Sequence, residues 1–155
     1  MKSLKLKNFH LLDREEALSL PAWLMSIELK GDQSRNSIRF VRLIEQRYKE
    51  VNNEKAKITE QYVDRDSEKR IIYLINGVES TTPNKGCTYK LSSENIGKVV
   101  KEFKEYLDED YIIDITPATK PIIDDIKNVL LKTEEKFKLD QAMMYAEWCD
   151  AFEKI

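Results

Sequence analysis

The chain has 155 residues, of which 35% are charged and 41% hydrophobic, and its formal net charge is −2. This length is sufficient for one domain with its own core, and the four glycines and four prolines are too few for a disordered chain or a turn-rich sandwich. Acidic residues interrupt the N-terminal apolar residues, and no apolar run approaches the roughly 18 residues of a membrane span. We therefore expect a protein that has no secretory signal peptide and does not enter a membrane.

The first 30 residues predict a strand followed by a helix. Apolar and basic residues alternate over residues 3–8, a pattern typical of a short edge strand or an ordered arm. Asp13 and Glu16 have the spacing of a capping box, which predicts a helix from about Asp13 to Leu29. Pro21 interrupts this pattern, so two shorter helices joined at residues 19–20 are the alternative. The following apolar residues are too many for one helical stripe and predict either burial between two layers or an exposed interface: Leu20, Trp23, Leu24, Met25 and Ile27.

Residues 31–66 predict one long helix. Nothing after Gly31 in this stretch is a proline or a glycine, so no residue forces the helix to stop. Apolar residues recur at alternating steps of three and four, as in a helix packed along a partner helix: Val41, Ile44, Tyr48, Val51, Ile58 and Tyr62, with Lys55 in the same seam. The Lys30-Gly31-Asp32 turn then predicts a helical hairpin. We expect an internal bundle rather than an intermolecular coiled coil.

The segment after residue 66 predicts a small sheet and a helix. Residues 71–75 form a β-branched and aromatic run that ends at Asn76-Gly77, a strong turn signal, and residues 87–91 form a second strand-like run. A helix follows from Ser92 or Ser93 to about Leu107, with Gly97 as a candidate for a close packing contact. Residues 111–115 read as a third strand that pairs with the hairpin.

Two helices complete the chain, one starting near Thr119 and one over residues 139–152. The last helix has apolar residues that are expected on one side, with Trp148 adjoining: Ala142, Met143, Ala146, Cys149 and Phe152. The sequence therefore predicts an α+β fold in which a long-helix hairpin and C-terminal helices pack with a small antiparallel sheet of about three strands. We expect one domain over residues 1–155, composed of a helical hairpin (13–66), a β-hairpin and helix (70–116) and a C-terminal helical pair (119–153).

No residue set predicts a chemical reaction. His10 is the single histidine and is expected to be structural or exposed, while Cys87 and Cys149 lack any metal-binding spacing and are expected to be reduced, buried thiols. Acidic residues cluster at three places, Asp64 with Asp66, 108–110 with Asp114, and Asp124 with Asp125, but their spacing matches no calcium loop. The sequence contains none of the common phosphate-binding, zinc-protease or hydrolase motifs. We therefore expect no enzyme activity, no cofactor and no metal.

The sharpest polar feature is a basic face on the long helix. Arg35, Arg39 and Arg42 share one helical face, with Lys30 just before it. The face is either solvated and paired with acidic residues of the C-terminal half, or it contacts an acidic protein or nucleic acid. The net negative charge and the absence of aromatics on this face argue against nucleic acid. The candidate interaction residues are Leu20, Trp23, Leu24, Met25, Lys30, Arg35, Arg39 and Arg42.

Several segments resemble a family of small tail-region proteins from phages of Gram-positive bacteria, a family without an established function. They are LKLKNFHLL (4–12), IELKGDQSRNSIRFVRLIEQRYKEV (27–51), QYVDRD (61–66) and IKNVLLKTEEKFKLDQAMMYAEWCDAF (126–152). The resemblance covers most of the chain and implies a late, virion-related or accessory role. It implies no catalytic residues.

These observations predict a non-enzymatic phage protein that acts by protein–protein contact in tail or virion assembly or in an accessory role. One alternative is a phage inhibitor that binds and blocks a host or anti-phage defence protein, and another is a nucleic-acid-binding accessory protein. The expected partner is a virion or host protein or a second copy of the chain, and the expected location is the host cytoplasm or the virion.

Overall fold

The computed structural model describes residues 2–155 and contains five α-helices and five short strands. In chain order the elements are β1 (Ser3–Lys7), α1 (Leu20–Ser26), α2 (Gly31–Tyr62), β2 (Tyr73–Ile75), β3 (Val78–Ser80), β4 (Thr88–Tyr89), α3 (Ser93–Leu107), β5 (Asp110–Asp114), α4 (Lys120–Lys132) and α5 (Leu139–Glu153). A single 3₁₀ turn follows β1 at Asn8–Leu11. The predicted α+β fold, with one long helix and small antiparallel sheets, is confirmed.

The chain forms two compact units. Unit 1 comprises residues 1–52 and 107–155, and unit 2 comprises residues 53–106. Helix α2 contributes residues 31–52 to unit 1 and residues 53–62 to unit 2. That all 155 residues form a single domain stays a prediction.

Unit 1 contains the large apolar core. The twelve largest fully buried side chains among the described residues all belong to it: Trp23, Trp148, Phe40, Phe152, Leu4, Leu6, Leu11, Leu20, Ile44, Ile123, Ile126 and Leu130. Strands β1 and β5 pair antiparallel, with Leu4 opposite Ile113 and Leu6 opposite Tyr111. Because successive side chains of a strand point to opposite faces, the alternation in β1 buries both leucines and leaves Lys5 exposed beside Asp110, at 3.6 Å.

Unit 2 contains the other sheet, in which β2 lies between β3 and β4. Asn76 and Gly77 both have positive φ, +50° and +81°, the conformation of the tight hairpin turn that their sequence predicts. Tyr73 and Tyr89 stack across β2 and β4 with ring centroids 5.6 Å apart. The buried apolar residues of this unit among those described are Ile58, Val63 and Val99, so its core is small.

The prediction that the third strand joins the hairpin is wrong. Strand β5 pairs with β1, and the third strand of the hairpin sheet is β3, which lies in the chain between the strand-like runs at residues 71–75 and 87–91. The sequence pattern of β5 is compatible with pairing either to the hairpin or to β1. The actual partner, β1, is more than 100 residues away along the chain. The short residue 3–8 strand, predicted as an edge or arm, is therefore the partner that β5 needs.

The predicted helix over residues 13–29 is also wrong in its first part, because α1 begins at Leu20. The alternative is right about the boundary at residues 19–20 but not about a first helix, since residues 12–19 are not helical. The Ser19 hydroxyl accepts a hydrogen bond from the Ala22 N–H at 3.3 Å and so caps α1. Pro21 then lies in the first turn, where a missing N–H costs no helical hydrogen bond. Asp13 instead uses its carboxylate to accept hydrogen bonds from the hydroxyls of Ser19, at 2.6 Å, and Tyr48.

The seam of α2 is confirmed at Ile44, Val51 and Ile58, which are all buried. Phe40 is buried where the pattern suggested Val41, and Lys55 is exposed. On α3, the suggestion that Gly97 marks a close contact is wrong, because a Cβ built there would meet no atom within 4 Å.

The buried face of α5 also differs from the prediction. Met144, Trp148 and Phe152 are buried at steps of four, and Met143 is exposed. Helix α5 is apolar on two faces, and the face with the larger aromatic side chains lies in the core because it buries more apolar area.

Candidate interaction surface

Three arginines of the first half of α2 form an exposed row. Arg35, Arg39 and Arg42 are exposed and follow one another at about one helical turn. Arg39 donates a hydrogen bond to the side-chain carbonyl of Asn36 at 3.3 Å. Within residues 2–155, neither Arg35 nor Arg42 makes an ion pair or a side-chain hydrogen bond, so the predicted pairing with acidic residues of the C-terminal half is absent there.

Exposed apolar side chains flank the arginine row. Ile38 is 53% exposed and Leu43 is 39% exposed. At about 100° per residue, Ile38 lies on one side of the row and Leu43 on the other. We name the surface formed by Arg35, Ile38, Arg39, Arg42 and Leu43 the basic strip.

The opposite face of α2 is fixed in unit 1. Phe40 packs against Phe152 of α5 with ring centroids 6.0 Å apart. The side chain of Asn36 donates to Asp125 of α4 at 2.6 Å. One turn beyond Phe40, Ile44 is fully buried. The basic strip is therefore displayed on a helix whose orientation within unit 1 is set by packing and by a half-buried hydrogen bond.

A second anchor lies further along α2. The guanidinium of Arg47 donates to the side-chain oxygen of Asn8 at 2.9 Å and lies over the ring of Tyr111, 5.4 Å from its centroid. Asn52 donates to the backbone carbonyl of Leu11 at 2.9 Å. These contacts connect α2 to the 3₁₀ turn and to β5, so Arg47 belongs to the structural face of the helix and not to the basic strip.

Three of the predicted interaction residues belong to the core of unit 1. Leu20, Trp23 and Leu24 are buried, and Trp23 is only 1% exposed. Trp23 contacts an aromatic cluster in which the centroids of Phe137, Tyr145 and Trp148 lie 6.3, 6.2 and 5.7 Å from its own. The prediction that these three residues contact a partner from an exposed interface is therefore wrong, because they are buried in the core of the folded chain.

The other predicted residues are accessible. Met25 of α1 is 62% exposed, and Lys30, at the turn before α2, is exposed together with Arg35, Arg39 and Arg42. Their contact with a partner stays a prediction.

A groove of about 320 Å³ lies beside this turn in unit 1. The residues after α1, the first turn of α2, the end of α4 and the loop after it supply its walls, among them Ile27, Leu29, Gln33, Val129, Lys132 and Glu135. Glu135 also accepts a hydrogen bond from the indole N–H of Trp23 at 2.9 Å. Glu135 thus links the wall of the groove to Trp23 of the aromatic cluster.

His10 is a buried structural residue, which confirms one of its two expected states. Its Nδ1 accepts a hydrogen bond from the Lys7 backbone N–H at 3.1 Å, and its Nε2 lies 3.0 Å from a carboxylate oxygen of Glu147. Accepting at Nδ1 leaves the proton on Nε2, where it is donated to Glu147. Burial lowers the pKa of His10 below its ordinary value, and Glu147 opposes this effect in part. The side chain joins the end of β1 to α5.

The cysteines are free, but both are half-buried, whereas buried thiols were expected. Burial raises the pKa of the Cys149 thiol above its ordinary value, which disfavours the reactive thiolate. Within residues 2–155, no three His, Cys, Asp or Glu side chains come together to hold a metal ion. None of the described helices has the length and apolar content needed to cross a membrane.

Sequence reasoning did not identify the apolar flanks of the basic strip or the groove. The helical angles of Ile38 and Leu43 relative to the seam contain the signal for the flanks, since both lie outside the stripe of Phe40 and Ile44. The groove had no such signal, because its walls come from segments about 100 residues apart.

Comparison with known family models, curated proteins and solved structures finds no match to this chain.

Proposed function

We propose that this protein acts by binding another protein, without catalysing a reaction, in tail or virion assembly of a phage or in an accessory role there. The observation that carries the binding role is the basic strip. It combines arginines that lack acidic partners within the described chain with exposed Ile38 and Leu43. The phage context is supported by the resemblance of the segments at 4–12, 27–51, 61–66 and 126–152 to tail-region proteins.

The form of the strip favours a protein partner over nucleic acid. Proteins that hold the phosphate backbone use basic and polar side chains, and their affinity comes mainly from charge. Here two apolar side chains border the arginine row, and the whole chain has a net charge of −2. An interface that mixes arginine with apolar side chains is typical of protein–protein contacts.

The test is capture of a partner from cells infected with the phage that encodes the chain. Tagged protein should retain one protein in a stoichiometric amount, and mass spectrometry identifies it. A virion protein supports the assembly role, and detection of the chain itself in purified virions supports a structural one. A host protein in the eluate would instead favour a phage inhibitor that blocks a host or defence function.

Two results would reject the binding role as stated. One is an eluate without a stoichiometric protein together with a chain that stays monomeric in light scattering at high concentration. The other is recovery of nucleic acid whose binding weakens steeply with salt, since that dependence is the signature of phosphate contacts.

A further inference from the structure

We infer that the basic strip binds an acidic, amphipathic helical segment of the partner protein. The inference rests on the proposed function and adds the chemistry of the partner. It predicts carboxylates opposite Arg35, Arg39 and Arg42 and apolar side chains against Ile38 and Leu43.

The charge of the strip is not neutralised by neighbouring carboxylates of α2. Asp32, one turn before Arg35, makes no ion pair with it within residues 2–155. Glu45 pairs with Lys49 at 3.2 Å, and Glu50 pairs with Arg47 at 3.7 Å. Both carboxylates are therefore engaged one or two turns beyond Arg42. An anionic partner would supply the missing counter-charges, and the planar guanidinium groups suit carboxylates because they donate two parallel hydrogen bonds.

The spacing of the arginines suits a helix in the partner. An α-helix rises about 1.5 Å per residue, so Arg35 and Arg42 are separated by roughly 10 Å along the axis of α2. A partner helix with carboxylates at i, i+4 and i+7 repeats the same spacing on one face. Carboxylates on an irregular segment have no such fixed spacing, and a helix therefore loses less conformational entropy on binding.

The apolar flanks make the strip selective for a partner surface that has both charged and apolar side chains, and not for negative charge alone. Ile38 and Leu43 are 53% and 39% exposed on either side of the arginine row. Apolar side chains that border the acidic row of the partner would cover them and release water. A flexible polyanion or an oligonucleotide has the charge but lacks apolar groups at these places.

The test uses the full chain and three fluorescent probes in an anisotropy titration. The first probe is a helical peptide of about 18 residues, long enough to form a helix, with Glu at i, i+4 and i+7 and Leu on both sides of that row. The second is a scrambled peptide of the same composition, and the third is a single-stranded oligothymidylate of the same charge. Because one exposed ion pair changes affinity by up to about fivefold, the helical peptide should bind at least about tenfold more tightly than either control.

The variants locate the binding surface. The triple variant Arg35→Glu, Arg39→Glu, Arg42→Glu should weaken binding of the helical peptide by about tenfold or more, since it replaces three attractions by repulsions. The matched control Lys55→Glu, Lys57→Glu, Lys101→Glu makes the same change in charge at exposed residues of unit 2 and should leave affinity within about twofold. The double variant Ile38→Ser, Leu43→Ser tests the apolar flanks and should weaken binding by several-fold.

Circular dichroism establishes that each variant is folded, and the triple Arg→Gln variant replaces the Glu variant if the latter unfolds. Equal binding of the scrambled peptide, tighter binding of the oligonucleotide, unchanged affinity of the triple variant or absence of binding by all probes would each overturn the inference. Rejection of this inference can be distinguished from rejection of the proposed function. Partner capture that succeeds while the helical peptide does not bind would leave a protein-binding role and reject only the acidic helix.

Discussion

Substitution of Trp23 distinguishes a core residue from an interaction residue. The substitution Trp23→Ala removes the indole, and with it the contacts with three aromatic rings and the hydrogen bond to Glu135. Replacing a buried tryptophan by alanine typically lowers the free energy of unfolding by about 3–5 kcal/mol. With a urea dependence of about 2 kcal/mol per molar, this corresponds to a shift of the unfolding midpoint of roughly 1.5–2.5 M.

The assay is urea unfolding followed by tryptophan fluorescence. The chain has two tryptophans, and both lie in unit 1, so Trp148 still reports on this unit in the variant. Met25→Ala is the matched control on the same helix. Because Met25 is 62% exposed, its removal should change the free energy of unfolding by no more than about 0.5 kcal/mol.

The contribution of the Trp23–Glu135 hydrogen bond to stability can be measured separately from that of the aromatic contacts. Glu135→Gln keeps the aromatic cluster and weakens only the hydrogen bond from the indole N–H, so it should cost about 1 kcal/mol. If Trp23→Ala shifts the midpoint no more than Met25→Ala does, but abolishes capture of the partner, then the burial of Trp23 is wrong and the residue belongs to an interface.

Three further predictions concern stability. Gly97→Ala should raise the free energy of unfolding of the region around α3 by about 0.5–1 kcal/mol, because alanine is the better helix former and its Cβ has open space; a lower urea midpoint would contradict this. Since burial holds the pKa of His10 below its ordinary value of 6.5, the unfolded chain takes up the proton first. The stabilisation by neutral His10 is therefore complete above about pH 6.5 and is lost as the pH falls toward the lowered pKa, so His10→Gln should reduce the difference in stability between about pH 7.5 and about pH 5.5. Backbone amides of unit 2 should exchange with solvent faster than those of β1 and α5 in a deuterium-exchange experiment, because the described part of unit 2 has few buried apolar residues, and uniform protection in both units would refute this.

Helix α2 and the starts of α3 and α4 could be predicted because their signals are local. The seam of α2 repeats every three or four residues, and Ser92 and Thr119 stand directly before the helices that they were expected to start. The Asn76-Gly77 turn is local as well, since positive φ at two consecutive residues requires such a pair. Each of these features depends on residues within a few positions of one another.

The pairing of strands could not be predicted in the same way. Strand β5 has the composition of a strand but nothing in its five residues specifies β1 as its partner. The choice depends on the whole of unit 1, where pairing with β1 buries Leu4 and Leu6 against the core. Long-range pairing is decided by such collective burial and not by the strand pattern alone.

Some of the predicted interaction residues are buried and others are exposed, for a related reason. Apolar periodicity identifies side chains that need to be covered, but it does not say whether this chain or another one covers them. In unit 1 the aromatic cluster covers Trp23, while no element of the described chain covers Met25 to the same degree. Charged residues are easier to place, since burying an unpaired arginine is costly, and all three arginines of the strip are exposed as their charge requires.

The two faces of α2 can therefore be changed independently. Phe40, Ile44 and the Asn36–Asp125 hydrogen bond fix the first half of the helix within unit 1. The arginines of the strip contribute no ion pair to that structure, and their one side-chain hydrogen bond is the long, exposed contact from Arg39 to Asn36 at 3.3 Å. Substitutions in the strip should leave the free energy of unfolding nearly unchanged while they alter binding, whereas substitutions of the buried α1 residues Leu20, Trp23 and Leu24 alter folding first. A loss of function caused by a strip variant that retains its unfolding midpoint is thus evidence for contact with a partner, and the same loss caused by a change at Leu20 or Leu24 is not.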